Sequence, residues 1–475
     1  MDRFPQSRGI GGGGQMRIAI VGAGATGLTA ALDLLKAGRQ VTIYELNDRP
    51  GGLAAGFKAP GWDWSLEKFY HHWFASDSDA LKLGEELGIR DRMIFNRPVT
   101  VVYYEGRFYQ LDGALSTLFP KLPWLDKLPL SGSLARGLLA LKFPALSFLD
   151  TVRYGLLGIY LVLTTNWRSL EKVTAHEWLS RWAGKRGYQV LWEPLLVGKF
   201  GEELYREVNM AWMSARIKAR TPRLGTFVGG FQAFFDSVAA AVQQAGGELR
   251  YSTRVVAIEQ TGNGKWTVAS SAAGAGSNTS VREEYDRVLV TTSPRLMSRL
   301  APQLPADYLG SLQNLKSLGA VVMVAALDRQ LSTQGFYWHN LPKSSGFPFL
   351  AMCEHTNFVS SEHFGGQHLI YCGDYVSTSH PYFMMTDDEL RQVYLPSLKR
   401  FNADFDPAWV KQTWIFREPY AQPVPFVDHS RHIPPTRTPL RGLFFASMSH
   451  VYPWDRGTNF AIRLGREVAA EMLRD

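Results

Sequence analysis

After Met16 the chain reads Arg17-Ile18-Ala19-Ile20-Val21, an apolar run that enters a glycine turn, and apolar residues then recur at helical spacing from about Thr26 to Ala37. A short uninterrupted apolar run predicts a strand buried on both faces, and the three-to-four spacing predicts a helix packed against it. Gly38 supplies the helix stop, and Val41-Thr42-Ile43-Tyr44 predicts a second strand ending at Glu45. Strand, helix and strand at this length form a βαβ unit.

From about Leu111 to Arg220 the pattern changes to apolar stretches broken by Pro120, Pro123, Pro129 and Pro144, followed by helical segments rich in Leu and Trp. This predicts a mainly helical insertion. Gly229-Gly230-Phe231 opens a helix through about Ala245, and Gly246-Gly247 leads into a strand from Leu249 to Glu259. A hairpin-like region follows, with the polar stretch Ser270 to Ser280 as its exposed loop. Asp286 to Thr292 reads as a buried strand of the first sheet, closed by Pro294. Ala320 to Leu327, Leu369 to Tyr375 and Val410 to Phe416 have strand character consistent with a second sheet, Gly442 to Ala446 is another strand, and Thr458 to Leu473 is a closing helix.

At 475 residues the chain is long enough for two cores, and its 45% hydrophobic content is that of a globular protein rather than a disordered one. The net charge of +8 suits an anionic cofactor, an acidic substrate or an anionic membrane surface, without choosing among them. The basic residues are scattered rather than set among aromatics in a recognisable module, so a nucleic-acid function is not expected. Cys353 and Cys372 are the two cysteines, with no CxxC pair, which gives neither a disulfide framework nor a cysteine zinc site and fits a reducing, cytoplasmic compartment. Residues 1–15, with four consecutive glycines and no apolar core, read as a flexible extension. The uncharged run Tyr154 to Trp167 falls short of the roughly 18 to 20 apolar residues of a membrane span.

Gly22-Ala23-Gly24-Ala25-Thr26-Gly27 matches GxGxxG, in which the glycines serve a tight turn, the approach of a pyrophosphate, and close helix-on-strand packing. The following helix aims unsatisfied N–H groups at the phosphates. Glu45 lies eighteen residues after Gly27, at the end of the second strand, where an acidic residue accepts hydrogen bonds from ribose hydroxyls. Arg49-Pro50-Gly51-Gly52 follows at short range.

With that segment the sequence resembles the glutathione-reductase-like flavoproteins, particularly the flavin amine oxidase branch that includes monoamine oxidases, protoporphyrinogen oxidases and phytoene desaturases. The resemblance implies FAD, with Arg49 near the pyrophosphate and Gly51 and Gly52 admitting the flavin. The run Gly229 to Ile258 is similar to the family's internal segment, in which a strand valine contacts adenine through its backbone, and this implies such a contact at Val255. Gly442 to Gly465 resembles the flavin-closing motif, in which a strand leads into a helix whose N-terminus faces the isoalloxazine. Thr458 and Asn459 open that helix. Where the family has Gly-Asp this chain has Ala446-Ser447, leaving Ser447 to stand in for the aspartate, with Tyr452, Asp455 and Arg456 on the same loop.

The implied fold is α/β: a discontinuous Rossmann-like FAD-binding domain over 16–110, 223–300 and 439–475, with a substrate domain made of an antiparallel sheet over 301–438 and the helical insertion over 111–222. Trp62 to Trp73 is expected to pass the flavin, with His71 and His72 as candidates for a proton relay or substrate orientation and Tyr452 as a further candidate. No third ligand stands at metal spacing, so no metal is expected. In the insertion, Lys199, Arg216 and Arg220 are candidates for an acidic group, with an ordinary solvated basic face as the alternative for the two arginines. The apolar stretch Leu134 to Leu163, flanked by Lys121, Lys127, Arg136, Lys142 and Arg153, is consistent with a helix lying on the inner face of a membrane or buried in the insertion.

The leading expectation is an FAD-dependent oxidoreductase that removes hydride from a C–N or C–C bond of a small molecule, with the flavin held non-covalently and reoxidised by oxygen or another acceptor. One alternative is a flavin-dependent isomerase of a nucleotide sugar, like UDP-galactopyranose mutase. Another is an FAD-binding protein without turnover.

Overall fold

The computed structural model describes residues 15–110, 143–274 and 280–475. Its first sheet has five strands, in the order Glu248–Arg250, Gln40–Tyr44, Arg17–Val21, Arg287–Val290 and Leu443–Phe445, all parallel. Ile18 to Val21, Val288 to Val290 and Leu443 to Phe445 are buried throughout, as a parallel sheet covered on both faces requires. One face carries the helices Ala25–Lys36, Phe231–Gln244 and Thr458–Arg474, which share a core with Ile20, Ile43, Leu289 and Phe444. The other face carries an antiparallel sheet of Thr253–Gln260, Trp266–Ala272 and Val281–Tyr285.

Two expectations are corrected here. Leu249 to Glu259 is not one strand: it breaks at Tyr251-Ser252, where Ser252 has φ +48°, and the pieces join different sheets. The Ser252 and Thr253 amides donate to the carbonyls of Asn47 and Glu45, which holds the crossing against the end of the second strand. Ser270 and Ser271 are buried within the strand Trp266–Ala272 rather than in an exposed loop, whose residues 275–279 lie outside the described ones.

The second sheet has seven strands, in the order Val410–Pro423, Ser317–Leu327, His368–Val376, Ala351–Glu354, Trp338–Asn340, Thr100–Tyr104 and Arg107–Gln110. Its pairings are antiparallel except for the parallel one between Trp338–Asn340 and Thr100–Tyr104. Beside it pack the helices Phe148–Leu163, Ala175–Trp182, Glu193–Leu204 and Met210–Ala219, with a core of their own that also takes in Leu318 and Val424. The expected features of residues 111–142 lie outside the described residues.

The two halves are keyed together by Glu67. Its Oε1 accepts the Phe231 N–H at 2.7 Å, at the start of the helix that follows Gly229-Gly230, and its own carbonyl accepts the Tyr371 hydroxyl of the second sheet at 2.7 Å. Burial pushes the Glu67 carboxyl up to about 7 from an ordinary 4.5. The folded state therefore favours the protonated form: the stability contribution is complete below about pH 4.5 and is lost as pH rises through about 7. Glu67→Gln keeps a neutral acceptor, so it should raise unfolding free energy at about pH 8 by roughly 2 kcal/mol and leave it nearly unchanged near pH 4.5. Urea unfolding at both pH values checks this; an equal effect at both would dissociate Glu67 from the pH dependence.

Candidate functional site

A cavity of about 940 Å³ lies where the two sheets and the helices meet. Gly22, Gly24, Ala25 and Thr26 line one end, at the carboxyl edge of the parallel sheet and the N-terminus of the helix Ala25–Lys36. Gly27 lies beneath them: a Cβ there would stand 2.0 Å from the Gly22 carbonyl oxygen and 3.3 Å from Ile20 Cγ2, so it serves the helix–strand contact rather than the cavity. Gly24 and Gly52 face one another across the cavity wall, a Cβ on Gly52 reaching 3.3 Å from the Gly24 Cα. Gly51, with φ +120°, turns the chain between them and donates its N–H to the Ala23 carbonyl at 2.9 Å.

Glu45 is buried at the cavity wall, and both of its carboxylate oxygens are engaged. One accepts the Ala23 N–H at 2.8 Å, and the other accepts the Asn47 backbone and side-chain N–H groups at 2.9 and 2.8 Å. Arg49 is turned away from the cavity; it pairs with Asp48 at 2.9 Å and donates to the Gly56 carbonyl at 3.4 Å. Val255 is buried beside a register shift in the antiparallel sheet and does not line the cavity.

The closing loop and helix form a second wall of the cavity. Gly457 stands at the start of the helix Thr458–Arg474, and Thr458, Asn459, Phe460 and Ala461 line the cavity. First-turn amides have no partner within their own helix. The side chains of this turn are already committed: Thr458 Oγ1 accepts the Trp73 indole N–H at 2.7 Å, and Asn459 Oδ1 accepts the Asp79 and Ala80 amides at 2.8 and 3.0 Å, at the start of the helix Ser78–Glu86. What this turn offers the cavity is its backbone. Ser447 also lines the cavity, with its hydroxyl 3.3 Å from the Ser449 N–H and 3.4 Å from the Tyr420 hydroxyl.

Of the run Trp62 to Trp73, Lys68 through His72 reach the cavity. Trp62 packs instead in the second half's core, against Trp414 and Phe364 with ring centroids 5.3 Å away in each case. His71 Nδ1 donates to the Phe69 carbonyl at 2.6 Å, which leaves its lone pair on Nε2. Burial lowers His71 to about 4 and His72 to about 3, so both rings are neutral near pH 7. Tyr452 is outside this cavity: its hydroxyl accepts from Asn209 Nδ2 at 2.9 Å, and its ring packs on Trp167 and His429.

The basic residues of the insertion converge on one carboxylate. Asp455 Oδ2 takes the Lys199 ammonium at 3.1 Å and the Arg216 guanidinium, while Oδ1 accepts the backbone N–H of Arg456 at 3.1 Å. This corrects the solvated-face alternative for Arg216, whose side chain is only 12% exposed. Arg456 donates to the Tyr375 hydroxyl, and its Nε is buried without a partner among the described residues. Arg220 lies over the Phe74 ring at 5.8 Å. Apolar lining beside this cluster comes from Leu191, Leu195, Met213 and Ile217 of the insertion and from Ile415 and Phe416 of the large sheet.

Thr291, Thr292 and an aromatic wall formed by Tyr70, Trp338, Tyr375 and Tyr420 also line the cavity, without being individually marked by the local sequence pattern. Thr291 and Thr292 directly follow a parallel strand, and the tendency of ligands to bind at the carboxyl ends of such strands is the signal that marks them. The aromatic wall has no local signal, because its members come from separate strands and loops. Among the described residues no group of three or more His, Cys, Asp or Glu side chains is placed to hold a metal, and no helix is long and apolar enough to cross a membrane.

Comparison with known proteins adds independent findings. The family model for flavin-containing amine oxidoreductases matches residues 25–473. A probable zeta-carotene desaturase of Synechococcus elongatus is 24% identical, across 96% of this chain and 98% of its own length. The 15-cis-phytoene desaturase of the same organism is 30% identical over 178 residues, a match that spans 33% of that enzyme. Among solved structures, a putative protoporphyrinogen oxidase from Exiguobacterium superposes with a TM-score of 0.72 at 17% identity, covering 98% of this chain and all of the other. A reduced UDP-galactopyranose mutase superposes with a TM-score of 0.70 at 15% identity, covering 97% of this chain and 94% of the other.

Proposed function

The chain belongs to the flavin-containing amine oxidoreductases and is a flavin-dependent oxidoreductase, and from that premise we propose that it binds FAD non-covalently and removes a hydride from a C–C or C–N bond of a largely apolar substrate. The observation that carries this reading is the single cavity shared by the glycine segments, the N-terminus of the closing helix and the apolar chamber of the insertion.

The residues suit FAD on three counts. The Gly24–Gly52 pair leaves backbone where a side chain would fill the cavity. The first-turn amides of the helix Ala25–Lys36 are donors for a pyrophosphate, and the buried carboxylate of Glu45 is an acceptor for ribose hydroxyls. Thr292 Oγ1 and Arg456 Nε are buried at the cavity without a partner among the described residues. Non-covalent attachment is supported by the cysteines, both buried in strands of the large sheet, away from the cavity, with burial pushing their thiols up. Ser447 lines the cavity and would serve as the ribityl partner.

Bound FAD supplies the hydride acceptor. The protein does the positioning: the positive end of the closing helix lines the cavity and would stabilise the negative charge that a flavin held there gains on reduction. Leu191, Leu195, Met213 and Ile217 exclude water from the reacting bond. His71, with its proton fixed on Nδ1 against the Phe69 carbonyl, presents Nε2 as an acceptor rather than a donor.

The helix Phe148–Leu163 supports peripheral membrane contact. Tyr154 and Gly158 line the cavity, while Phe148, Leu156 and Leu163 on another side are 75%, 61% and 65% exposed. An apolar stripe of this kind on a basic protein fits the surface of an anionic bilayer and would admit a lipid-like substrate beside the chamber. The protein should float with phosphatidylglycerol-containing vesicles and the Phe148→Asp/Leu156→Asp variant should not; a wild-type protein that stays with the dense fraction refutes the contact.

The direct test of function is the absorption spectrum before and after acid precipitation, followed by anaerobic titration with candidate donors. Release of FAD into the supernatant and bleaching by an apolar donor support the proposal. A protein that neither carries nor takes up FAD overturns it. A nucleotide-sugar isomerase is the second reading, favoured by the cations on Asp455; a UDP-sugar that shifts the flavin spectrum only after reduction would decide for it.

A further inference from the structure

Where the insertion lines the chamber, apolar side chains stand beside a cluster of basic ones. Leu195 and Lys199 stand one helical turn apart on the helix Glu193–Leu204, and Met213 and Arg216 nearly so on Met210–Ala219, so each helix presents an apolar side chain and then a cation to the same cavity. Among the described residues, three basic side chains gather around one carboxylate. Lys199, Arg216 and Arg456 surround Asp455, and Lys199 and Arg216 share one of its oxygens. The other acids lining the cavity, Glu45, Asp77 and Glu418, accept from amide N–H groups, and no ion pair joins them to Lys199 or Arg216 among the described residues. Buried charge without an equal counter-charge is costly, and a site keeps it where a ligand supplies the missing anion.

We infer that Lys199 and Arg216 form the head-group site for an amphipathic acid, taking its carboxylate, while its apolar body lies along Leu195, Met213 and Ile217. The inference rests on the reading of this chamber as the substrate site and names the substrate class within it. The surroundings of Lys199 support it. Desolvation pushes this ammonium well below the ordinary lysine range, Arg216, Arg456 and Arg220 push it further, and Asp455 is the group that opposes them. A second carboxylate would restore the charged form. Both side chains are already gathered on Asp455, so little rotamer freedom remains to be lost when a ligand binds.

The test uses the full-length, FAD-loaded protein and two probes of equal chain length, decanoate and decan-1-ol, with binding followed by calorimetry. A charge-assisted contact predicts that the acid binds about ten- to a hundredfold more tightly than the alcohol. Arg216→Gln should bring the two affinities within roughly threefold by weakening the acid alone. Asp455→Asn acts in the opposite sense: it leaves two cations without their anion, so decanoate should bind more tightly than to wild type and raise the melting temperature more. Equal binding of acid and alcohol by wild type, or binding of neither, overturns the inference. So does an Arg216→Gln protein that keeps its preference for the acid while its flavin potential falls, which would assign these cations to the reduced cofactor. Failure here, with the flavin still bleached by a neutral apolar donor, leaves the proposed oxidoreductase reading standing; absence of FAD or of bleaching removes that reading without touching the preference for the acid.

Discussion

Gly24→Val is expected to give a folded, colourless protein. Gly24 has φ −77° and ψ −178°, a conformation open to valine, and the nearest atom to a Cβ placed there is the Gly52 Cα at 3.9 Å. A Cβ there displaces nothing in the described residues. Its methyl groups point into the cavity at the start of the helix Ala25–Lys36, in the space proposed for the pyrophosphate. FAD affinity should fall by at least about a hundredfold, near 3 kcal/mol, while the cofactor-free protein should keep its stability within about 1 kcal/mol of wild type. The ratio of flavin to protein absorbance and urea unfolding of the deflavinated forms measure the two effects separately. A yellow Gly24→Val protein would move the phosphate site away from this turn.

The second large effect is expected at Gly465, where the fold itself is at stake. This residue lies in the closing helix against the first helix, and a Cβ there would stand 2.5 Å from the Thr26 carbonyl oxygen, 3.0 Å from Thr29 Cβ and 3.2 Å from the Ala30 nitrogen. Two of these neighbours are backbone atoms in a helix and cannot swing aside as a side chain would. Gly465→Val must part the helices, break the 3.1 Å bond from Thr26 Oγ1 to the Ala461 carbonyl, and separate the two helix N-termini that share the cavity. A loss of roughly 3 kcal/mol in unfolding free energy is expected, together with loss of flavin. Gly262→Ala, which meets nothing within 4 Å, is the matched control and should change neither. If Gly465→Val unfolds like wild type, the helices have room the structure does not show.

The contrast between these glycines bears on how GxGxxG-type segments are read. Gly22, Gly24 and Gly27 stand in one hexapeptide, yet a side chain would collide with Thr291 at the first, enter the cavity at the second and strike the strand–helix contact at the third. Two of the three are therefore fold residues in this chain, and only the middle one isolates the cofactor from the fold.

Local information was enough for the βαβ unit, the turn at Gly51-Gly52, the carboxylate at the strand end and the closing helix, because each depends on neighbours within about one element: apolar runs, glycine spacing and helix ends. The same information placed the strands Arg287–Val290 and Leu443–Phe445, since a strand buried on both faces has an unmistakable composition. It failed where a residue's role depends on a partner far along the chain. Asp455 was one acidic residue in a loop until folding brought Lys199 and Arg216, more than two hundred residues earlier in the chain, onto one of its oxygens. Tyr452 stood beside the site in sequence and leaves it in space because its hydroxyl is taken by Asn209. Secondary structure and a cofactor turn are encoded by contacts between near neighbours, so the sequence by itself determined them; the depth, charge and aromatic wall of the chamber are sums over side chains from separate elements, and only the tertiary structure decided them.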